Sequence, residues 1–300
     1  MRARPERGRR VLITGGRGQL GRALQDALAG HELLAPGHAD LDITDAAAVV
    51  EAVRGFRPDV VIHAAAWTDT RGCEADPERA LAVNAGGAGN VARACASTGA
   101  AMVYISSNEV FDGARSEPYR EDDEPNPVNH YGRSKLAGER EVRTALDRHY
   151  IVRTAWLYGP GRVSFPEKII ETAREQGRLR LVTDEVASPT WTVDLAAAVA
   201  RLIDHSAWGV YHLTNAGYCS RYDWAVEILR LAGLADVPVE PTTLAEFGVA
   251  LPKPPFSALA NVNAARLGIE LRPWQEALAD HFRHARKEAG AGAAPPEGNR

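Results

Sequence analysis

One tyrosine and one lysine in this sequence, which together could transfer a proton, are separated by four residues, about one turn of a helix. The stretch "YGRSK" places Tyr131 four residues before Lys135, and no other tyrosine has a lysine at this interval. On a helix, residues four apart lie on one face, one turn from each other. A nearby ammonium group favours the ionised phenol, so Tyr131 is predicted to donate or accept a proton near neutral pH.

A cluster of polar side chains follows a stretch with the character of a buried strand. In "YISSNEVFDG", strand-like residues lead directly into Ser106, Ser107, Asn108 and Glu109. In open α/β sheets, ligands bind at the carboxyl ends of the strands. Ser107 is therefore predicted to hydrogen-bond the same substrate oxygen that Tyr131 protonates.

A glycine-rich turn near the start indicates a dinucleotide site. "VLITGGRGQLG" places Gly15, Gly18 and Gly21 at three-residue intervals between a strand pattern and a helix pattern. At such a turn, backbone N–H groups and the helix dipole can bind a pyrophosphate if no Cβ blocks the approach.

The cofactor type depends on the second strand pattern. In "LLAPGHADLD" no acidic residue follows the strand at once to bind a ribose 2′-hydroxyl, and Asp42 can instead face the adenine. Arg17 can meet a 2′-phosphate, although an exposed arginine without this role is the alternative. The pattern favours NADP(H) over NAD(H).

Alternating strand and helix patterns position these residues. Strand patterns occur in "RRVLITG", "HELLAP", "PDVVIHAAA", "AMVYISS" and "HYIVRTAWLYG". Helix patterns lie between them in "GQLGRALQDALAG", "DITDAAAVVEAVRGF", "DPERALAVNAGGAGNVARACASTG" and "YGRSKLAGEREVRTAL". This alternation predicts an α/β fold with a doubly wound parallel sheet of the Rossmann type.

The second half is interrupted by prolines, and helices are predicted near 165–176, 192–204, 220–232 and 273–286. We assign residues 10–160 to a dinucleotide-binding domain. Residues 161–286 are assigned mainly to a smaller C-terminal α/β domain that binds substrate, with some segments returning to the sheet. The basic start, 1–9, and the tail, 287–300, are predicted to be disordered.

Composition excludes several classes of function. A net charge of -4 gives no electrostatic reason to expect a nucleic-acid partner. No run of about 18 apolar residues could span a membrane, and the start lacks the apolar stretch of a signal peptide. Cys73, Cys95 and Cys219 are odd in number and not spaced for a metal, which indicates reduced thiols and a cytoplasmic protein.

These features resemble the extended short-chain dehydrogenase/reductase superfamily in the glycine spacing, "HAAAWTD", "VN" at Val83-Asn84 and the Tyr131/Lys135 pair. A finer similarity, to the dTDP-4-dehydrorhamnose reductases, is found in "GRGQLG", "LDITD", "EADPERALAVN", "VFDG", "YGRSKLAGE", "RTAWLYG", "DEVASPT" and "GVYHLTN". The similar stretches follow in order from about residue 10 to residue 285.

The resemblance implies a role for each matching residue. Ser107, Tyr131 and Lys135 would be catalytic. The implied cofactor-binding residues are Gly15, Arg17, Gly18, Gln19, Leu20, Gly21, Asp42, Ile43, Ala64, Ala65, Ala66, Asn84 and Thr154. The implied substrate-binding residues are Thr68, Asn108, Glu109 and Trp156, the last lining the sugar pocket unless it is a core aromatic.

One departure concerns the residues after the fourth strand. The reductases usually have Ser-Thr-Asp-Tyr before "VFDG", so Glu109 replaces an expected tyrosine contact. Sugar-nucleotide 4,6-dehydratases are similar here with Thr-Asp-Glu, where the Asp is the acid for the departing hydroxyl and the Glu the base. Asn108 has no proton to donate, which argues against a dehydratase. Glu109 is interpreted as a pocket residue bonding sugar hydroxyls, or as an exposed structural glutamate.

The resemblance implies NAD(P)H-dependent reduction of the 4-keto group of a dTDP-4-keto-6-deoxysugar, most simply dTDP-4-dehydro-L-rhamnose to dTDP-L-rhamnose. The alternatives are a related nucleotide-sugar ketoreductase, an epimerase or dehydratase, and a non-catalytic subunit similar to the regulatory subunit of methionine adenosyltransferase. Some of these reductases form metal-bridged dimers through a glutamate early in the first helix, where this sequence has Ala23. No metal site is expected, and a monomer and a homodimer both remain open.

Overall fold

The computed structural model describes residues 8–248 and 251–291. Its strands are β1 (Arg10–Thr14), β2 (Glu32–Leu34), β3 (Val60–His63), β4 (Ala101–Ser107), β5 (His149–Thr154), β6 (Leu157–Tyr158), β7 (Leu179–Val182), β8 (Val186–Ala187), β9 (Thr190–Trp191), β10 (Gly209–His212), β11 (Cys219–Ser220) and β12 (Val239–Thr242). Within these residues, six strands form a parallel sheet in the order β10-β5-β4-β3-β1-β2. The predicted Rossmann-type sheet is confirmed.

Helices cover both faces of the sheet. They are α1 (Gln19–Ala27), α2 (Ala46–Phe56), α3 (Thr70–Ala75), α4 (Pro77–Leu81), α5 (Gly87–Thr98), α6 (His130–Ala145), α7 (Phe165–Gln176), α8 (Thr192–Leu202), α9 (Arg221–Ala232), α10 (Leu244–Phe247), α11 (Val262–Arg266) and α12 (Trp274–Ala291). Helices α1 and α8 bury their apolar residues on one face, and α2, α5 and α6 on the other. Because helices cover both faces of the sheet, its strands are buried on both sides and consist of nearly continuous runs of apolar residues.

The helix predicted over 76–99 is interrupted in the structure. A π-helical turn, Ala82–Gly86, separates α4 from α5. It carries Asn84, whose side chain accepts a hydrogen bond from the Trp67 backbone N–H (2.8 Å) and donates one to the Trp67 carbonyl (3.0 Å). Such turns often occur at functional sites and do not change the apolar periodicity enough to be recognised from sequence.

The order of the strands creates a crevice at one place. The chain passes from β1 to β2 on one side and then crosses to β3 on the other side of β1. Ligands of open α/β sheets bind outside the carboxyl ends of the strands at such a switch point. Here that point lies between Gly15, after β1, and Ala64, after β3.

A smaller unit packs beside this edge. The strand pairs β6–β9, β7–β12 and β8–β11 and the helices α7, α9 and α12 surround a separate apolar cluster. Its centre is Trp224, which is buried against Tyr158 and Phe165. Helix α8 and strand β10 instead return to the main sheet.

The structure describes a few residues of each segment that was predicted to be disordered. Arg9 donates a hydrogen bond from its guanidinium to the Ile203 carbonyl (2.6 Å). Helix α12 continues to Ala291, beyond the predicted start of the tail at residue 287, because the stretch "ARKEA" is rich in helix-favouring residues. Residues 1–7 and 292–300 lie outside the described residues. Among the described helices, none combines the length and apolar character of a transmembrane segment.

Candidate active site

The glycine turn forms a cradle that larger residues would block. Gly15 has a φ of +72°, and a Cβ on it would lie 2.9 Å from the backbone nitrogen of Ala65. A Cβ on Gly21 would lie 2.3 Å from the Gly15 carbonyl oxygen. Helix α1 has no side-chain cap at Gly18, so its first N–H groups can bind a pyrophosphate. The backbone here fits a dinucleotide cofactor.

A cavity of about 410 Å³, the glycine-turn cavity, opens beside this cradle. The predicted cofactor residues that line it are Gly15, Arg17, Gly18, Asp42, Ile43, Ala64, Ala65 and Ala66. Arg17 is mostly exposed and lies 3.0 Å from the Asp40 carboxylate. Asp42 accepts hydrogen bonds from the backbone N–H and hydroxyl of Thr44, which hold the pKa of Asp42 below its usual value.

A second cavity of about 420 Å³, the reaction cavity, continues from the first past Gly15, Gly18 and Ala64. Ser107, Tyr131 and Lys135 all lie in its wall. The other predicted residues in its wall are Gln19, Leu20, Gly21, Ala66, Thr68, Asn108, Glu109, Thr154 and Trp156. One groove therefore contains both the predicted cofactor residues and the predicted catalytic residues.

Helix α6 reaches this groove because its first turn packs against the end of β4. The Asn129 side-chain oxygen caps α6 by accepting a hydrogen bond from the Gly132 N–H (2.8 Å). A Cβ on Gly132 would lie 2.0 Å from the Glu109 carbonyl oxygen, so glycine permits this close approach. The contact brings Tyr131 close enough to Ser107 for the Ser107 hydroxyl to influence its pKa.

Burial is the main influence on the ionisation of Tyr131. Burial raises the pKa of Tyr131, the negative charge of Glu109 raises it further, and the hydrogen bond with Ser107 acts in the opposite direction. The charge of Lys135, which was predicted to favour tyrosinate, is not among these influences. Tyr131 therefore carries its proton at neutral pH in this structure.

Lys135 lies one turn further along α6 and is almost fully buried. Its ammonium lies 4.2 Å from the centroid of the Tyr104 ring. Burial lowers the pKa of Lys135 to about 7, against the opposing negative charge of Glu139. The protonation of Lys135 therefore changes close to neutral pH.

Two of the predicted cofactor residues have distinct surroundings. The Asn84 amide, already bonded to Trp67, also donates to the Ser134 hydroxyl (2.9 Å), so it lies behind the groove and supports α6. The Thr154 hydroxyl is buried without a hydrogen-bond partner in the described part of the chain. Thr154 is paired in register with Ser107 at the ends of β5 and β4, which leaves its hydroxyl available to a ligand.

Trp156 is held in an uncommon backbone conformation. Its φ is +44°, a value that only a few per cent of non-glycine residues adopt. Its ring stacks on Trp224, with centroids 5.4 Å apart, and the guanidinium of Arg221 lies 3.5 Å from its centroid. Trp156 therefore packs against the apolar cluster around Trp224 and also forms part of the wall of the reaction cavity.

Sequence reasoning missed several charged residues that the fold brings to this wall. Arg162, Arg221 and Lys253 line the reaction cavity. Arg162, Lys168 and Arg221 also line an adjoining cavity of about 370 Å³ beside Trp156 and Phe165. These residues lie in the proline-interrupted half, where no motif marked them.

A Rossmann-type sheet, a glycine cradle and a Tyr-x-x-x-Lys helix beside Ser107 define an extended short-chain dehydrogenase/reductase. The family described as RmlD substrate binding domain matches residues 9–287. The chain belongs to this family.

Relatives with established names cover nearly the whole chain. The dTDP-4-dehydrorhamnose reductase of Mycolicibacterium smegmatis is 42% identical over 279 residues, which are 90% of this chain and 84% of that protein. The dTDP-4-keto-6-deoxy-D-glucose reductase of Streptomyces niveus is 38% identical over 277 residues, 91% of this chain and 96% of that protein. The structure also resembles the crystal structure of dTDP-4-dehydrorhamnose reductase from Bacillus anthracis in complex with NADP, with a TM-score of 0.89 and 38% sequence identity. The match covers 92% of this chain and 99% of that chain.

Proposed function

We propose that this protein is an NADPH-dependent reductase of a dTDP-4-keto-6-deoxysugar, with the conversion of dTDP-4-dehydro-L-rhamnose to dTDP-L-rhamnose as the first reaction to test. The proposal rests on the observation that Ser107, Tyr131 and Lys135 line the same groove as the glycine cradle. The names of the relatives support the substrate class.

The groove offers suitable groups along the length of a dinucleotide. Gly15, Gly18 and the start of α1 would hold the pyrophosphate, and Arg17 would meet a 2′-phosphate. Lys135 and Thr154, at the other end, would hold the nicotinamide ribose. The NADP bound to the Bacillus anthracis relative supports NADP(H). When bound, the reduced nicotinamide supplies the hydride for the carbonyl carbon.

The protein supplies the proton and the orientation. Tyr131 carries its proton at neutral pH, so its hydroxyl can donate a proton to the sugar carbonyl oxygen as the alcohol forms. The Ser107 hydroxyl, which is close enough to Tyr131 to influence its pKa, would bond the same oxygen. Together they polarise the carbonyl and fix its position, which are the usual contributions of general acid catalysis.

The adjoining cavity suits the nucleotide part of the substrate. Arg162, Lys168 and Arg221 bring positive charge to its wall, and Trp156 and Phe165 bring aromatic surface. A nucleoside diphosphate carries the complementary features, since its phosphates attract cations and its base can stack on aromatic rings. This arrangement supports a nucleotide sugar over a free sugar.

The elimination performed by a dehydratase lacks a suitable acid here. The Asn108 side-chain amide donates a hydrogen bond to the Ser257 hydroxyl (2.7 Å), and its oxygen lies 3.3 Å from the Ser107 hydroxyl. An amide in this position cannot protonate a departing hydroxyl. The site therefore favours reduction over dehydration.

Binding of NADPH is expected to be accompanied by proton uptake above neutral pH. With a pKa of about 7, Lys135 is mostly neutral in the free protein at about pH 8, and the negative charge of the cofactor favours its protonated form. Titration calorimetry in buffers of different ionisation enthalpy measures this uptake. It should be absent at about pH 5, where Lys135 is already charged, and absent at both pH values in Lys135→Met. Equal uptake by the variant would contradict the assignment.

The test of the proposed function is consumption of NADPH, followed by absorbance, with dTDP-4-dehydro-L-rhamnose and with dTDP-4-keto-6-deoxy-D-glucose. NADH is compared in parallel, and mass spectrometry should show a product with two additional hydrogens. No consumption with either sugar, although NADPH binds, would reject the reductase in favour of a binding role. A product altered at C5 or C6 without cofactor consumption would indicate an epimerase or a dehydratase.

A further inference from the structure

An ion pair lies in the wall of the reaction cavity. The Lys253 ammonium is 3.1 Å from one carboxylate oxygen of Glu109, and the two side chains are 17% and 14% exposed. Both residues line the cavity that also contains Ser107 and Tyr131. An acceptor and a donor, both charged, are thus presented to a bound substrate side by side.

Asn129 holds both the Glu109 carboxylate and the backbone next to Lys253. The Asn129 amide donates hydrogen bonds to the second Glu109 oxygen (2.6 Å) and to the Pro252 carbonyl (3.0 Å). Asn108 binds Ser257 from the same side. The segment 251–257 is therefore tied to the end of β4, and the charged groups need little reordering when a ligand arrives.

The pair lies next to the place where the carbonyl would bind. The Glu109 backbone N–H donates a hydrogen bond to the Ser107 hydroxyl (3.1 Å). The Glu109 carboxylate is also close enough to Tyr131 to influence its ionisation. An oxygen held by Ser107 and Tyr131 would leave the substituents of the neighbouring ring carbons facing Glu109 and Lys253.

We propose that Glu109 and Lys253 determine substrate specificity by binding the hydroxyl on the ring carbon next to the reacting carbonyl, C3 of a 4-keto-6-deoxysugar. This inference rests on the proposed reductase function. A hydroxyl donates its hydrogen to the carboxylate and accepts a hydrogen bond from the ammonium, so one C3 hydroxyl can satisfy both groups. A C3 methylene would displace water from both charged groups without replacing the lost hydrogen bonds. The site is therefore expected to discriminate against a 3-deoxy sugar.

The test compares kcat/KM for a dTDP-4-keto-6-deoxysugar that carries the C3 hydroxyl with kcat/KM for its 3-deoxy counterpart. The wild-type protein is expected to prefer the hydroxylated sugar. Glu109→Gln and Lys253→Met should each reduce this preference by roughly tenfold to a hundredfold, the range for a hydrogen bond to a charged group. Glu227→Gln, which removes an exposed pair with Arg230 away from the groove, should leave the preference unchanged.

The ratio of kcat/KM for the two sugars distinguishes direct recognition of the C3 hydroxyl from a purely structural role of the ion pair. If both variants lose activity equally towards both sugars, the pair only holds the segment 251–257 in place and the inference is wrong. NADPH binding and the thermal midpoint establish whether each variant is folded. A wild-type protein that reduces neither sugar overturns the proposed function itself, whereas one that reduces both without preference overturns only this inference.

Discussion

Replacing Tyr131 with phenylalanine is expected to lower kcat for sugar reduction by roughly 100- to 10,000-fold, the usual contribution of a positioned general acid. The substitution removes the hydroxyl and keeps the ring. Because the pKa of Tyr131 is raised, mainly by burial, the wild-type residue carries its proton throughout the neutral range. The loss should therefore be large at every pH in this range.

The measurement is NADPH consumption under substrate saturation, together with a separate titration of NADPH binding by tryptophan fluorescence. Binding should change little, since the phenylalanine ring keeps the shape of the groove. Tyr218→Phe is the matched control, because Tyr218 is 48% exposed and its hydroxyl has no place in the proposed reaction. If Tyr131→Phe retains wild-type kcat, another group donates the proton and the assignment of Tyr131 is wrong.

The parts of this site that could be predicted from sequence depend on local patterns. Ser107 was placed at a sheet edge because the buried strand β4 ends there. The glycine cradle was recognised because a strand precedes it and a helix follows it. Each of these signals involves residues within one or two turns of each other.

The remaining features depend on contacts between distant residues. Lys253 pairs with Glu109 across 144 positions, and the stretch around Lys253, "LPKPP", has neither helical nor strand periodicity. Burial raises the pKa of Tyr131, an effect that the local spacing of Tyr131 and Lys135 does not show. Burial and long-range pairing arise only when the segments pack together, so local spacing does not reveal them.

Replacing Arg153 with methionine is expected to destabilise the protein by about 3–5 kcal/mol, the usual effect of leaving one member of a buried ion pair without its partner. Arg153 donates two hydrogen bonds to the Glu139 carboxylate, at 2.9 and 2.8 Å. Glu139 also accepts a hydrogen bond from the Ser106 hydroxyl (2.7 Å). The side chains of Arg153 and Glu139 are 1% and 0% exposed. Arg143, at 3.5 Å from Glu139, should keep the loss towards the lower end of this range.

This pair ties together three elements that carry the site, because Glu139 follows Lys135 by one turn of α6, Ser106 precedes Ser107 on β4, and Arg153 precedes Thr154 on β5. The free energy of unfolding, measured from urea titrations of the variant and the wild type, tests the expectation.

Arg93→Met is the matched control, since Arg93 pairs with Glu141 on the surface at 3.1 Å, and exposed pairs contribute about 1 kcal/mol or less. The double variant Glu139→Met/Arg153→Met should be more stable than Arg153→Met alone, because it removes the unpaired carboxylate as well. A loss below about 1 kcal/mol in Arg153→Met would mean that Arg143 or a bound water fully replaces the missing guanidinium. In that case the rigidity of the β4, β5 and α6 junction would have to come from the apolar contacts of the sheet and not from this ion pair.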